Sequence, residues 1–113
     1  MKLVDKKISL LELKQMAKKM YGDLVKAVVD IEKEIMVVDG EMHADEEQFL
    51  LAKGSKQENL WGINLYPDLF DKNFIEFDSV INLRPRLNNF SRFVEDEKIR
   101  KKIVEIVNKF VKK

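Results

Sequence analysis

The stretch Val25-Lys26-Ala27-Val28-Val29-Asp30-Ile31-Glu32-Lys33-Glu34-Ile35-Met36-Val37-Val38-Asp39-Gly40 decides the fold. Branched side chains are stiff about χ1 and fit a pleated sheet better than a helix, so Val25–Ile31 and Glu34–Val38 read as two strands. Glu32-Lys33 is then the tight connection between them, although it lacks the Gly or Asn that two-residue hairpin turns favour. Asp39-Gly40 is a turn signal immediately after the second strand.

Upstream, Ser9-Leu10-Leu11-Glu12 is a capping box that opens a helix, with Ile8 and Leu13 placed as a hydrophobic staple. Leu10, Leu13, Met16, Ala17 and Met20 give that helix one apolar face, and Gly22 stops it. Downstream, residues 45–53 are read as a helix with Asp45 as N-cap, Gln48 as its box partner and Gly54 as its stop. The alternative is a hairpin turn at Gly54-Ser55 joining Phe49-Leu50-Leu51 to the next strand. Leu60–Tyr66 is a strand with Trp61, Ile63 and Leu65 on one face, ended by Pro67. A second alternation puts Ile75, Phe77, Ile81 and Leu83 on one face of a strand, and Glu76, Asp78, Val80, Asn82 and Arg84 on the other, up to Pro85. The chain closes with a helix over 95–111, acidic at its start and lysine-rich at its end, as the helix dipole favours. Ile99, Ile103, Ile106, Val107 and Phe110 form its buried stripe.

Terminal helices around a run of hairpin-linked strands predict an α+β fold. It is a single domain over 1–113, an antiparallel sheet of about four strands with the N-terminal and C-terminal helices packed on it. Val28, Ile35 and Val37 make the other sheet face too apolar to be wet, so a homodimer or further helix cover is expected.

Composition narrows the function. The 113 residues are 36% charged, against roughly 25% in ordinary domains, but the net charge is only +1. That balance gives no global pull toward nucleic acid or an anionic membrane. There is no cysteine, hence no disulfide and no thiolate metal site. No apolar run approaches the ~20 residues needed to span a bilayer, and Met1–Lys7 has no apolar core of signal-peptide length. A cytoplasmic location is expected. Many lysines and glutamates with no Cys and no Thr suggest a heat-adapted source.

Three of the four arginines fall in Arg84-Pro85-Arg86-Leu87-Asn88-Asn89-Phe90-Ser91-Arg92, and no acidic residue lies between Ser79 and Val94. A guanidinium fork grips carboxylate or phosphate in two places at once, which lysine cannot do. Arg84, Arg86 and Arg92 are therefore the expected anion ligands, with Asn82, Asn88 and Asn89 as orienting donors. His43, Glu41 and Asn64 would complete the wall of the pocket if the strands bring them near. The competing reading is a surface loop whose arginines pair with Asp78, Glu76 or Glu95-Asp96-Glu97.

Glu41-Met42-His43-Ala44-Asp45 holds the only histidine. If extended, it aligns Glu41, His43 and Asp45 on one face as candidate acid–base groups. With no second His and no Cys, a metal centre is not expected, and neither is a cofactor. A structural His43 is the favoured reading. Trp61 reads as core, and Gly62 marks a close backbone approach. Gly54-Ser55-Lys56 lacks the preceding glycine of a phosphate-binding loop.

The ordered set Gly40-Glu41-Met42-His43-Ala44-Asp45, Gly54-Ser55-Lys56-Gln57, Leu60-Trp61-Gly62-Ile63-Asn64-Leu65-Tyr66-Pro67 and Ile81-Asn82-Leu83-Arg84-Pro85 resembles a small family of uncharacterised archaeal and bacterial proteins, catalogued as a domain of unknown function. The resemblance covers nearly the whole chain and implies a free-standing single-domain protein, with no activity or catalytic residues to carry over. The expected function is thus binding of a small anionic molecule through the Arg/Asn loop. The alternatives are a ligand-free homodimeric interaction module and, below it, a hydrolase using His43 with a carboxylate.

Overall fold

The central hairpin forms as β3 (Val25–Asp30) and β4 (Ile35–Val38) in a computed structural model that describes residues 1–113. Asp30 supplies what the turn sequence lacks. Its Oδ1 accepts the backbone N–H groups of Glu32 and Lys33, both at 2.9 Å, and Glu34 takes the left-handed φ of 57°. An Asx turn thus replaces the expected Asn-Gly chemistry. The second Asp30 oxygen accepts the Ser55 hydroxyl at 2.6 Å, so this carboxylate is buried but fully used.

The sheet has five antiparallel strands, one more than the pattern of branched residues indicated. β1 (Lys2–Val4) adds to the outside of β4, β5 (Leu60–Leu65) pairs with the other side of β3, and β6 (Ile75–Glu76) follows β5. A separate parallel pair, β2 (Ile8–Ser9) with β7 (Val111–Lys112), ties the start of α1 (Leu10–Met20) to the end of α3 (Glu97–Phe110). The Ser9 hydroxyl caps α1 by accepting from Glu12 N–H, and Gly22 turns the chain away at φ +92°. Met20, expected on the buried face of α1, is instead exposed in its last turn. Asp96 caps α3, which starts two residues later than the acidic run suggested.

Strand alternation separates two cores. Ala27, Val29, Met36, Val38, Trp61, Ile63 and Leu65 face α1 and α3, where Leu13, Ile103, Ile106 and Val107 complete the larger core. Val28, Val37 and Leu60 face α2 (His43–Ala52), packing on Leu50. The helical reading of residues 45–53 holds through Ala52, with Lys53 as the C-cap, and that helix is the cover the apolar sheet face required. The exposed sheet surface that motivated a homodimer does not exist: Val28 and Val37 are fully buried under α2.

Two local expectations need correction. α2 begins at His43, its N-cap is Met42 with no side-chain bond, and Asp45 lies exposed in the first turn instead of capping it. Residues 75–84 are not one strand. After β6 the chain leaves the sheet: Ser79 caps a 3-10 turn over Val80–Asn82, with its hydroxyl accepting from Ile81 N–H. Ile75 and Phe77 pack into the larger core while Ile81 packs into the smaller one, so the segment wraps around the sheet edge. Gly62 makes this crossing feasible, because a Cβ there would lie 2.6 Å from the Ser79 Cβ.

Candidate functional site

α2 turns a mostly polar stripe toward the sheet. His43, Glu46, Glu47 and Leu50 follow the i, i+3, i+4, i+7 spacing of one helix face, and all four are buried. Each polar member has a distinct partner. His43 Nε2 lies 2.8 Å from the Ile63 carbonyl, which fixes the Nε2–H tautomer and leaves Nδ1 as the free nitrogen. Glu46 is sealed, with one carboxyl oxygen accepting from Gly40 N–H at 2.9 Å and the other without a partner. Burial pushes its carboxyl up to about 9, so it is protonated at neutral pH. Burial likewise lowers His43, opposed by its hydrogen bond to the Ile63 carbonyl and by the Asp78 carboxylate and aided by Lys26 and Arg92, so the imidazole is neutral at pH 7.

Glu47 engages Arg84. The Arg84 Nη2 donates to Glu47 at 2.8 Å and Nη1 to the Leu60 carbonyl at 2.6 Å, with the guanidinium against the Trp61 ring. Burial draws Arg84 below the usual arginine value, and the Glu47 carboxylate counteracts this. Asn82 works one step along the same strand edge. Its Oδ1 accepts from Gly62 N–H at 2.8 Å and its Nδ2 donates to Gly62 O at 2.9 Å. β6 pairs with β5 only at Asn64 and Leu65, so from Leu60 to Gly62 the side chains of Asn82 and Arg84 stand in for a missing strand. Asn89 shares its amide N–H groups among the carbonyls of Asn82, Ser91 and Phe93, and its Oδ1 accepts from Glu95 N–H. Asn88 holds a left-handed turn at φ 59°.

Most of the expected anion ligands are thus spent inside the molecule. Arg84, Asn82 and Asn89 are buried structural donors, and Asn64 donates to Glu76 and to the Asp78 carbonyl. Arg86 reaches Gln57 on the surface at 3.3 Å, apart from the others. Arg86 keeps most of its fork free, and Arg92 keeps part of its own. Arg92 binds Asp78 through Nε and Nη2 at 2.7 and 3.3 Å, at an exposed position, which leaves Nη1 pointing to no protein acceptor. The row of Glu41, His43 and Asp45 does not form either. Glu41 and Asp45 line an acidic hollow with Asp39, whereas His43 faces the sheet. No group of three His, Asp or Glu residues is placed to hold a metal ion.

What the fold does bring together is His43, Lys26 and Arg92. They line a cleft of about 310 Å³ between the N-terminal end of α2 and the 3-10 turn, with Met42, Ala44, Ser79, Val80 and Ile81. Larger hollows of about 390, 520 and 660 Å³ lie elsewhere, but the first sets Asp71 beside Lys72 and Lys113, the second mixes Glu97 and Glu105 with Arg100 and Lys101, and the third is acidic. The 310 Å³ cleft gathers two cations and the histidine with no carboxylate in its lining. The uncapped N–H groups at the start of α2 add partial positive charge. Lys26 escaped the sequence reading because only strand register reveals that it sits opposite Asn64 on the α2 side.

The molecule is an α+β domain: an antiparallel sheet with two helices on one face and a third, polar-faced helix on the other. The chain belongs to the family described as Protein of unknown function (DUF5674), whose model matches residues 2–110. No curated protein and no solved structure matches it. No helix is long and apolar enough to cross a membrane.

Proposed function

We propose that the protein binds a small phosphate- or carboxylate-bearing molecule in the cleft between the start of α2 and Arg92. The observation that carries this reading is the convergence of Lys26, His43 and Arg92 on one hollow whose lining has no carboxylate. The Lys26 ammonium lies 5.1 Å from the Tyr21 ring centroid and pairs with no carboxylate, and Arg92 retains Nη1. An anion in this position gains two charge-assisted contacts, and the helix dipole adds to them. His43 Nδ1 becomes a third donor if the ring takes up a proton. The arginine loop keeps a role, but as a scaffold: Arg84, Asn82 and Asn89 fix the segment that carries Arg92.

Ser79 is the one hydroxyl in the lining, and at 1% exposure it packs over Gly62 instead of facing the cleft, so binding is favoured over hydrolysis. Calorimetric titration with inorganic phosphate at pH 6.5 tests the reading. Saturable binding at millimolar concentration or tighter is expected, weakened about tenfold by Arg92→Ala and again by Lys26→Ala. Equal heats from wild type and Arg92→Ala/Lys26→Ala would refute it.

A further inference from the structure

The cleft opens beside an apolar strip that the anion reading leaves unexplained. Val80 is 65% exposed, Leu83 50% and Phe90 64%. Their placement follows from the backbone. Val80 and Leu83 are three apart across a 3-10 turn closed by Leu83 N–H to Val80 O, so they stand on one side. Arg84 and Asn89 pair as an antiparallel bridge and both point inward, so Leu83 and Phe90, the next pair outward, both point to solvent. Val80 also lines the cleft, so the strip begins where the cationic hollow ends.

The strip is rigid. The side chains of Asn82, Arg84 and Asn89 anchor it from behind through nine hydrogen bonds, four to the body of the protein and five within residues 82–95. Ordinary surface loops do not hold large apolar side chains outward on such a frame, and docking on one loses little conformational entropy.

Resting on the anion-binding reading, we infer that the occupant of this surface is a peptide segment of another protein carrying an acidic group beside apolar side chains, the acid entering the Lys26–Arg92 cleft and the apolar residues lying on Val80, Leu83 and Phe90. Charge complementarity selects this occupant. No acidic residue interrupts Ser79 to Val94, and the two carboxylates at the border are engaged, Asp78 by Arg92 and Glu95 by Phe90 N–H and the Ser91 hydroxyl. A second copy docked face to face would bring two Lys26–Arg92 clefts together, and the one carboxylate beside each, Asp78, is already engaged by its own Arg92 and offers the facing cleft no free partner. A nucleic-acid strand would find one exposed ring and two aliphatic side chains where successive bases need stacking platforms.

The test is selection of a displayed library of random dodecapeptides on the full chain. Binding of the enriched peptides is then measured by fluorescence anisotropy to wild type, Leu83→Ser/Phe90→Ser and Arg92→Ala, with inorganic phosphate titrated in parallel. The expected peptides place Asp or Glu within a few residues of Leu, Phe or Trp. They bind at least tenfold more weakly to both variants, and 50 mM phosphate displaces them. Leu83→Ser/Phe90→Ser retains phosphate binding, which also shows that it is folded. Peptides without acidic residues, or ones indifferent to the strip substitutions, would overturn the inference and leave phosphate binding standing. Absence of phosphate binding by wild type would instead remove the reading beneath it. Sedimentation showing a wild-type dimer that Leu83→Ser/Phe90→Ser dissociates, or tight binding of a dT12 oligonucleotide that requires Phe90, would overturn the inference in favour of those occupants.

Discussion

Replacing Glu46 with Gln removes a pH dependence that the fold builds into the protein. The Glu46 carboxyl is wholly buried, one oxygen bonded to Gly40 N–H and the other without a partner, and its pKa stands near 9 against an ordinary value of 4.5. A raised pKa means that the folded state holds a proton which the unfolded chain releases. Stability from this group is therefore full below pH 4.5 and is lost as pH climbs toward 9, with a limiting slope of about 1.4 kcal/mol per unit. Between pH 7 and 9 the slope levels off as the folded carboxyl begins to ionise, and the loss comes to about 2 kcal/mol. That window is clean. His43 is shifted in the opposite sense, so it acts below about pH 6.5, where its contribution rises with pH. Glu34 is held below the carboxylate range by Lys102, and Lys102 above the lysine range by Glu34, so neither titrates there. Urea denaturation at pH 7, 8 and 9 should show wild type losing about 2 kcal/mol and Glu46→Gln losing little, with the variant the more stable of the two at pH 9. Parallel pH profiles for the two proteins would refute the assignment of a sealed, protonated Glu46.

Three further outcomes follow from the same contacts. Arg84→Ala strands the Glu47 carboxylate in a buried site and should destabilise by about 3–5 kcal/mol in urea denaturation, while Arg84→Met with Glu47→Leu should recover much of that loss. Gly62→Ala drives a Cβ into Ser79 and should lower stability by about 1–3 kcal/mol, and it should also weaken phosphate binding because the displaced 3-10 turn lines the cleft. Asp78→Asn frees the Arg92 fork from its internal carboxylate and should tighten phosphate binding several-fold in calorimetry, whereas a weaker site would show that Asp78 positions Arg92 instead of competing for it.

The elements built on one strong local signal were legible in the chain. Ser9 and Glu12 marked α1, the branched run 25–38 marked the hairpin, and the 3.6-residue stripe from Ile99 to Phe110 marked α3. β1 was not legible, because three residues carry too little periodicity. The strand expected over 75–84 failed for an instructive reason. Its alternation of apolar and polar residues is real, but it arises from a chain crossing the sheet edge and burying Ile75 and Ile81 in different cores. The candidate site was legible only in part. The competing pairing of an arginine with Asp78 was legible and forms at Arg92, but a cluster of arginines says nothing of a partner as distant in sequence as Glu47, which meets Arg84 across 37 residues. The polar stripe of α2 hid for a related reason. Its sheet-facing positions carry His43, Glu46 and Glu47 where a hydrophobic pattern would place aliphatic residues, so the helix has almost no apolar side to read.

Because His43 is the sole histidine, its ring protons report on the cleft without ambiguity. A proton NMR titration of those signals, run once in chloride and once in phosphate at matched ionic strength, is the most direct examination of the anion site. The account predicts a His43 pKa below 6.5 in chloride and a clear rise in phosphate, since a bound anion between Lys26 and Arg92 favours the imidazolium. Superimposable titration curves in the two salts would contradict it.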